Sequence, residues 1–227
     1  MKRLIAALAT VSLAICVGAG AGAGAAPTPS AETSAAGKPP IRKMLIPYTK
    51  KRKREMAAYS KRHYGRYKWR LRKPKLIVEH YAVAGSVSSI FNTFVPDRPD
   101  VEFHELPGVC SHFVISATGA IYKFVPVSTR CRHTVGLNHV SIGIEHVGFS
   151  DQDILGRPAQ LNKSLRLTRW LRCRFGLPID QVIGHNESLS SPFYKELDPR
   201  FKGRTHGDWT RANMQTYRAE LAKLGAC

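Results

Sequence analysis

Three short apolar runs in this chain each end in side chains that bind metals or move protons. They are Leu76-Ile77-Val78-Glu79-His80, Val140-Ser141-Ile142-Gly143-Ile144-Glu145-His146 and Val182-Ile183-Gly184-His185. A carboxylate inside an apolar run is costly unless it is paired, hydrogen-bonded or used. His80 and His185 sit where an apolar strand meets a loop, so their side chains converge over one sheet edge. Two histidines, a third protein ligand and one open position make the layout of a catalytic zinc site. The chain has nine histidines. His63, His104, His139 and His146 need no metal and read as hydrogen-bonded structural residues.

The elements that would position these groups follow from periodicity and punctuation. Lys50 to His63 reads as a helix stopped by Tyr64-Gly65. Leu76 to Tyr81 is a strand, and Ser86 to Phe94 a short helix. The stretch Pro96 to Pro107 is a loop. His112-Phe113-Val114-Ile115 and Ile121 to Val125 form a hairpin across Thr118-Gly119. Ser141 to Val147 is a strand, and Leu161 to Phe175 a helix with a leucine stripe that Gly176 ends. A strand over 181–184, a long loop over 185–208 and a helix over 210–224 complete the chain. This mixture predicts a single α/β domain with a central mixed β-sheet flanked by helices.

Composition narrows the setting. The chain has 227 residues and a net charge of +19. Residues 38–75 hold 16 Lys/Arg against one acid, Glu55, whereas residues 76–227 hold 17 Lys/Arg against 14 acids. The basicity therefore belongs to one segment, which favours polyanions such as nucleic acid, anionic lipid or the acidic polymers of a cell wall. In that segment Tyr64, Tyr67 and Trp69 interleave with Arg66, Lys68 and Arg70. This pattern either binds a ligand or packs a basic arm onto the domain, and the packing reading is preferred.

Residues 1–26 read as a secretory signal, with Met1-Lys2-Arg3, an apolar run too short to span a membrane, and a small-residue end at Ala25-Ala26. Ile15 before Cys16 argues against lipidation. Residues 27–40 read as a flexible linker, 41–75 as a basic helical segment and 76–227 as the catalytic domain. An exported chain meets an oxidising environment, so Cys110, Cys131, Cys173 and Cys227 could form two disulfides. Three pairings are open. Cys110 with Cys131 would close a short loop near the site, and Cys173 with Cys227 would pin the C-terminus to the long helix.

Residues 76–209 resemble the zinc-dependent N-acetylmuramoyl-L-alanine amidases, the amidase type 2 and peptidoglycan recognition protein fold. The resemblance rests on Ile77-Val78-Glu79-His80-Tyr81, Ser111-His112-Phe113-Val114-Ile115, Gly119 to Pro126, Arg132-His133-Thr134-Val135-Gly136, Asn138 with Ser141 to Glu145, and Val182-Ile183-Gly184-His185. Each piece alone is weak; six in the family's order are specific. The resemblance implies one zinc ion held by His80 and His185, with Glu145 as the catalytic carboxylate. His112, His133 and Asn138 would bind substrate, although Arg132 stands where the family often has Trp. For the third ligand, the family's basic residue, spacer and Asp or Cys has two candidates. Asp198-Pro199 keeps the Asp-Pro pair. Arg204-Thr205-His206 keeps the rhythm with an imidazole, and His206 is preferred. Arg204 would then help hold the oxyanion.

The implied activity is cleavage of the amide between N-acetylmuramic acid and L-alanine in peptidoglycan. The expected protein is a secreted, cell-wall-associated monomer. It would bind peptidoglycan and anionic wall polymers, with no stable membrane insertion. A non-catalytic peptidoglycan-binding module is the alternative. The signal argues against a nucleic-acid-binding protein.

Overall fold

A computed structural model describes residues 37–227. The expected signal over 1–26 and most of the expected linker, 27–36, lie outside the described residues. The linker's last four residues are already part of the fold, since Pro39 is buried and Lys38 lies over the Trp170 ring.

Six strands form one mixed sheet in the order β1-β4-β3-β5-β2-β6. They are β1 (Ile41–Lys43), β2 (Leu76–Tyr81), β3 (Phe113–Ile115), β4 (Ile121–Lys123), β5 (Ser141–His146) and β6 (Val182–Gly184). Only the β3–β4 hairpin is antiparallel; every other pair is parallel. The central strands β2 and β5 are buried on both faces, which is why they read as near-continuous apolar runs. Among the described residues, no helix is long and apolar enough to cross a membrane.

The sheet separates two cores. On one face Ile77, Phe113, Ile115, Ile121, Ile142, Ile144 and Val182 pack against α4 (Pro158–Phe175) and α5 (Arg211–Ala222) through Leu167, Leu171, Tyr217 and Leu221. On the other, Val114, Phe124 and Val147 pack against α2 (Val87–Phe94), and Leu76 and Val78 pack with Leu137. Strand alternation assigns neighbouring residues to opposite cores. That places His80 and Glu145 on the second face and Glu79 and His146 on the first.

Residues 41–75, read from the sequence as a segment of their own, are built into the same fold as the rest. The first strand pairs in parallel with β4 at the sheet edge. The helix α1 (Lys50–Tyr64) is capped by the Thr49 hydroxyl, which accepts from the Arg52 N–H, and ends at Gly65, whose φ of 78° suits a residue without Cβ. The helix is welded in by a fully buried Arg52. Its guanidinium donates to the carbonyls of Phe94, Gly108 and Val109 and lies 3.5 Å from Asp97. At the other end His63 Nδ1 is 2.9 Å from Glu196, and its ring stacks on Tyr59 at 3.8 Å. The basic segment is thus part of the domain and, apart from Arg52, keeps its lysines and arginines exposed or half-buried.

The sequence also hid the short α3 (Asp151–Leu155), and its long loop contains a 3-10 turn over His185–Ser190. Disulfides join Cys110 to Cys131 and Cys173 to Cys227, with Cα atoms 5.5 and 5.1 Å apart.

Candidate active site

The site gathers at the carboxyl ends of β2, β5 and β6, where parallel strands leave room for ligands. His80 and Glu145 are register partners on adjacent strands, so their side chains leave the same face side by side. His185 follows β6 directly. The fourth member, Asp208, comes from the loop before α5. Asp151 fixes that loop: its carboxylate accepts from the N–H groups of Trp209 and Thr210 and from the Asn213 amide. Trp209 is fully buried with a left-handed φ of 55°. Its neighbour's carboxylate is therefore held by a constrained turn.

His80, His185 and Asp208 each offer a ligand atom, all within 4.8 Å of one another. His80 Nδ1 is 3.1 Å from Asp208 Oδ2, and His185 Nδ1 is 3.1 Å from Asp208 Oδ1. Ligands about 2.0–2.1 Å from a tetrahedral zinc ion stand about 3.3 Å apart, so this donor set fits such an ion. Burial disfavours charge on His80, yet Glu145 and Asp208 outweigh it and raise its pKa. For His185 burial wins and lowers its pKa to about 4, leaving a neutral ring. Asp208 is desolvated too, but the two imidazoles hold its carboxyl far below the usual range. A neutral imidazole, a carboxylate and a field that attracts positive charge are what a divalent cation needs.

Behind the ligands runs a relay. His80 Nε2 meets His133 Nδ1 at 3.0 Å, with the Thr134 hydroxyl at the same junction. His133 Nε2 meets the Ser141 hydroxyl at 3.2 Å, and that hydroxyl donates to the Leu137 carbonyl at 2.8 Å. Burial and the neighbouring histidines keep His133 neutral. With a cation between His80 Nδ1 and the Asp208 carboxylate, both rings would be neutral and each would donate from Nε2 toward Leu137. Gly143 makes room for the relay, because a Cβ there would lie 2.7 Å from the His133 ring.

Glu145 accepts no hydrogen bond from the described residues, and its Oε2 is sealed from solvent. Burial raises its pKa to about 7; His80 pulls it down and Asp208 pushes it up. It lines a cavity of about 280 Å³ with the three ligand-type residues, Arg132 to Val135 and the loop from Asp100 to Phe103. A carboxyl poised near neutrality beside three convergent ligands is equipped for proton transfer.

The family described as N-acetylmuramoyl-L-alanine amidase (Amidase_2) matches residues 70–201, more than half of the chain. The chain belongs to the N-acetylmuramoyl-L-alanine amidase family. Among solved structures it is similar to the endolysin amidase LysCS from Clostridium intestinale, at 17% identity and TM-score 0.49, covering 82% of this chain and 98% of that one. A selenomethionine AmpD derivative is similar at 19% identity and TM-score 0.47, covering 78% and 93%. The amidase AmiD from E. coli, in complex with an anhydro-N-acetylmuramic acid peptide, is similar at 22% identity and TM-score 0.40, covering 50% and 49%. No curated protein sequence matches at a significant level.

Of the residues this amidase family suggested, His80, Glu145 and His185 come together, and both expected third ligands lie elsewhere. Asp198 is held by Arg200, whose guanidinium reaches it at 2.7 Å and keeps its pKa at about 2. His206 is exposed on the cavity rim, with Nε2 3.0 Å from Glu102 and its ring 4.7 Å from that of His185. Asp208 stands beside His80 and His185 instead, because the turn fixed by Asp151 aims it inward. The signal was present one step further along, since His206-Gly207-Asp208 is itself a basic residue, a spacer and an acid.

His112 is not in the cavity. It is fully buried, accepts from the Gly143 N–H and bonds the Thr129 carbonyl, so it ties β3 to β5. Asn138 is a wall residue whose Oδ1 accepts from the N–H groups of His133 and Thr134. Arg132 donates to Asp100 at 2.6 Å and to the carbonyls of Glu105 and Pro107, which builds the wall opposite the ligands. Arg204 is exposed on the rim.

Proposed function

We propose that this protein is an exported, zinc-dependent hydrolase of the amide between N-acetylmuramic acid and L-alanine in peptidoglycan. The observation that carries the reading is the His80, His185 and Asp208 cluster beside Glu145, in a chain of the amidase family. His80, His185 and Asp208 would hold the ion. Bound zinc supplies Lewis acidity, polarising a carbonyl and lowering the pKa of water to about 7. Glu145 stands beside that cluster in the same cavity, where it would take a proton from the attacking water and deliver it to the leaving amine. The relay through His133 and Ser141 fixes the His80 tautomer. Arg204, which stays charged, and His206 stand at the cavity rim, where Arg204 would meet charge developing on the carbonyl oxygen. Export is supported by the apolar N-terminal run of the sequence and by the two disulfides. The excess of exposed basic groups in residues 38–75 supports association with an anionic wall.

The test is to incubate purified protein with peptidoglycan and to score, by mass spectrometry, stem peptides beginning with a free L-alanine amine. Release should stop with a chelator and return with zinc. Wall binding without release would overturn the hydrolase in favour of a recognition module.

A further inference from the structure

The family match covers residues 70–201, and α1 precedes it. One side chain of that helix nevertheless reaches the site. Tyr59 lines the cavity but is only 1% exposed, so it acts through its neighbours rather than on a ligand. Its hydroxyl accepts from Asn138 Nδ2 at 3.2 Å. Asn138 Oδ1 in turn accepts from the backbone N–H groups of His133 and Thr134, both at 2.8 Å. Those two residues carry the groups that meet His80 Nε2, His133 Nδ1 at 3.0 Å and the Thr134 hydroxyl at 3.3 Å. The Tyr59 ring grips the same segment at a second point, because the Arg132 guanidinium lies 5.1 Å from its centre. The ring is itself fixed. His63, tied to Glu196, stacks on it at 3.8 Å, and the Tyr64 ring meets it edge-on.

We propose that Tyr59 is a positioning residue for the metal site, acting through Asn138 on the 132–134 segment that orients His80. The two N–H groups occupy Asn138 Oδ1, so the Tyr59 hydroxyl is what anchors the other end of the amide. Without that hydroxyl the buried Nδ2 loses its partner, and the segment hung on Oδ1 loosens with it. The metal part of this role rests on the proposed reading of His80, His185 and Asp208 as ligands.

The experiment uses Tyr59→Phe, which removes the hydroxyl and keeps the ring. In competition with a chromophoric chelator, the whole protein should bind zinc about 3–10-fold more weakly, the net worth of one hydrogen bond. Thr49→Ala is the control, since it removes the N-cap of the same helix without touching Tyr59. It should lower the melting temperature yet keep zinc affinity within about twofold, because a less stable protein that is still folded binds zinc as before. In an Asn138→Ala background Tyr59→Phe should cause no further loss. The metal-free protein gives a readout independent of zinc. The Ser141 hydroxyl donates to Leu137 and so accepts from His133 Nε2. That ring proton should be visible by NMR in isotope-labelled parent and broadened by exchange in Tyr59→Phe. A parent that bound no zinc would overturn the metal reading, and the ring proton would still decide whether Tyr59 positions the segment. A ring proton unchanged by Tyr59→Phe would overturn the proposal. So would equal losses of zinc affinity in Tyr59→Phe and Thr49→Ala, or losses that add to those of Asn138→Ala.

Discussion

The two faces of the central sheet carry the same pair of residue types and do different things with them. Strand β2 supplies Glu79-His80 and β5 supplies Glu145-His146, and alternation sends one Glu and one His to each face. Both carboxyls are buried, both have an orphaned Oε2, and burial raises both to about 7. On the helix face, Glu79 Oε1 accepts from the Thr168 and Tyr217 hydroxyls at 2.8 and 3.2 Å. His146 Nδ1 bonds the His80 carbonyl, and its Nε2 bonds Ser164. That network is closed by α4 and α5. On the other face no hydroxyl reaches Glu145; in their place stand a cavity, a second histidine and Asp208. Residue type and a raised pKa do not make a catalytic group. Access and convergent neighbours do.

The largest expected separation between the faces is in turnover. Glu145→Gln should lose about 10³-fold, or about 4 kcal/mol of transition-state stabilisation, while zinc content stays stoichiometric by elemental analysis. Glu79→Gln should keep turnover within a few-fold, and equal losses in the two would erase the distinction.

Next in size is a pH effect on stability from the closed face. The folded Glu79 carboxyl titrates near 7, against 4.5 for an ordinary one. The folded state therefore keeps a proton that the unfolded chain releases, and the group lowers stability as pH rises through that window. The difference is worth about 3 kcal/mol. Urea melts in chelator should show Glu79→Gln gaining about that much on the parent between pH 4.5 and 8. Parallel pH profiles would show that Glu79 ionises normally.

A smaller effect tests the relay on the open face. His133→Ala should weaken zinc binding by about 10–100-fold in competition with a chromophoric chelator. Unchanged affinity would make His133 a wall residue only. The smallest belongs to His206→Ala, which should alter zinc affinity by less than about twofold if Asp208 is the ligand. A loss of stoichiometric zinc would return the role to His206.

What the sequence made legible follows the same division. The strands bearing His80, Glu145 and His185 declared themselves because a polar residue inside an apolar run has no cheap explanation. Helix α4 was legible from its stripe and its terminal Gly176, whose φ is 62°. Hidden were features that depend on distant partners. The three-residue strand β1 has no periodicity of its own and exists because β4 is there to pair with it. Asp208 lay in an apparent loop, and nothing local revealed that Asp151, from an unread helix, would turn it inward. The buried Arg52 looked like one more charge on a basic helix until its carbonyl partners were in place.

Gly143 carries a consequence for how this chain tolerates mutation. It touches neither the cavity nor the ligand cluster, yet any side chain there would collide with the ring that supports His80. A saturation scan should find position 143 nearly invariant in functional clones. Alanine at 143 should regain packing once position 133 is also reduced to alanine. The two sites are one unit of inheritance, separated by ten positions in the chain and joined by the space that a Cβ at 143 would take from the ring at 133.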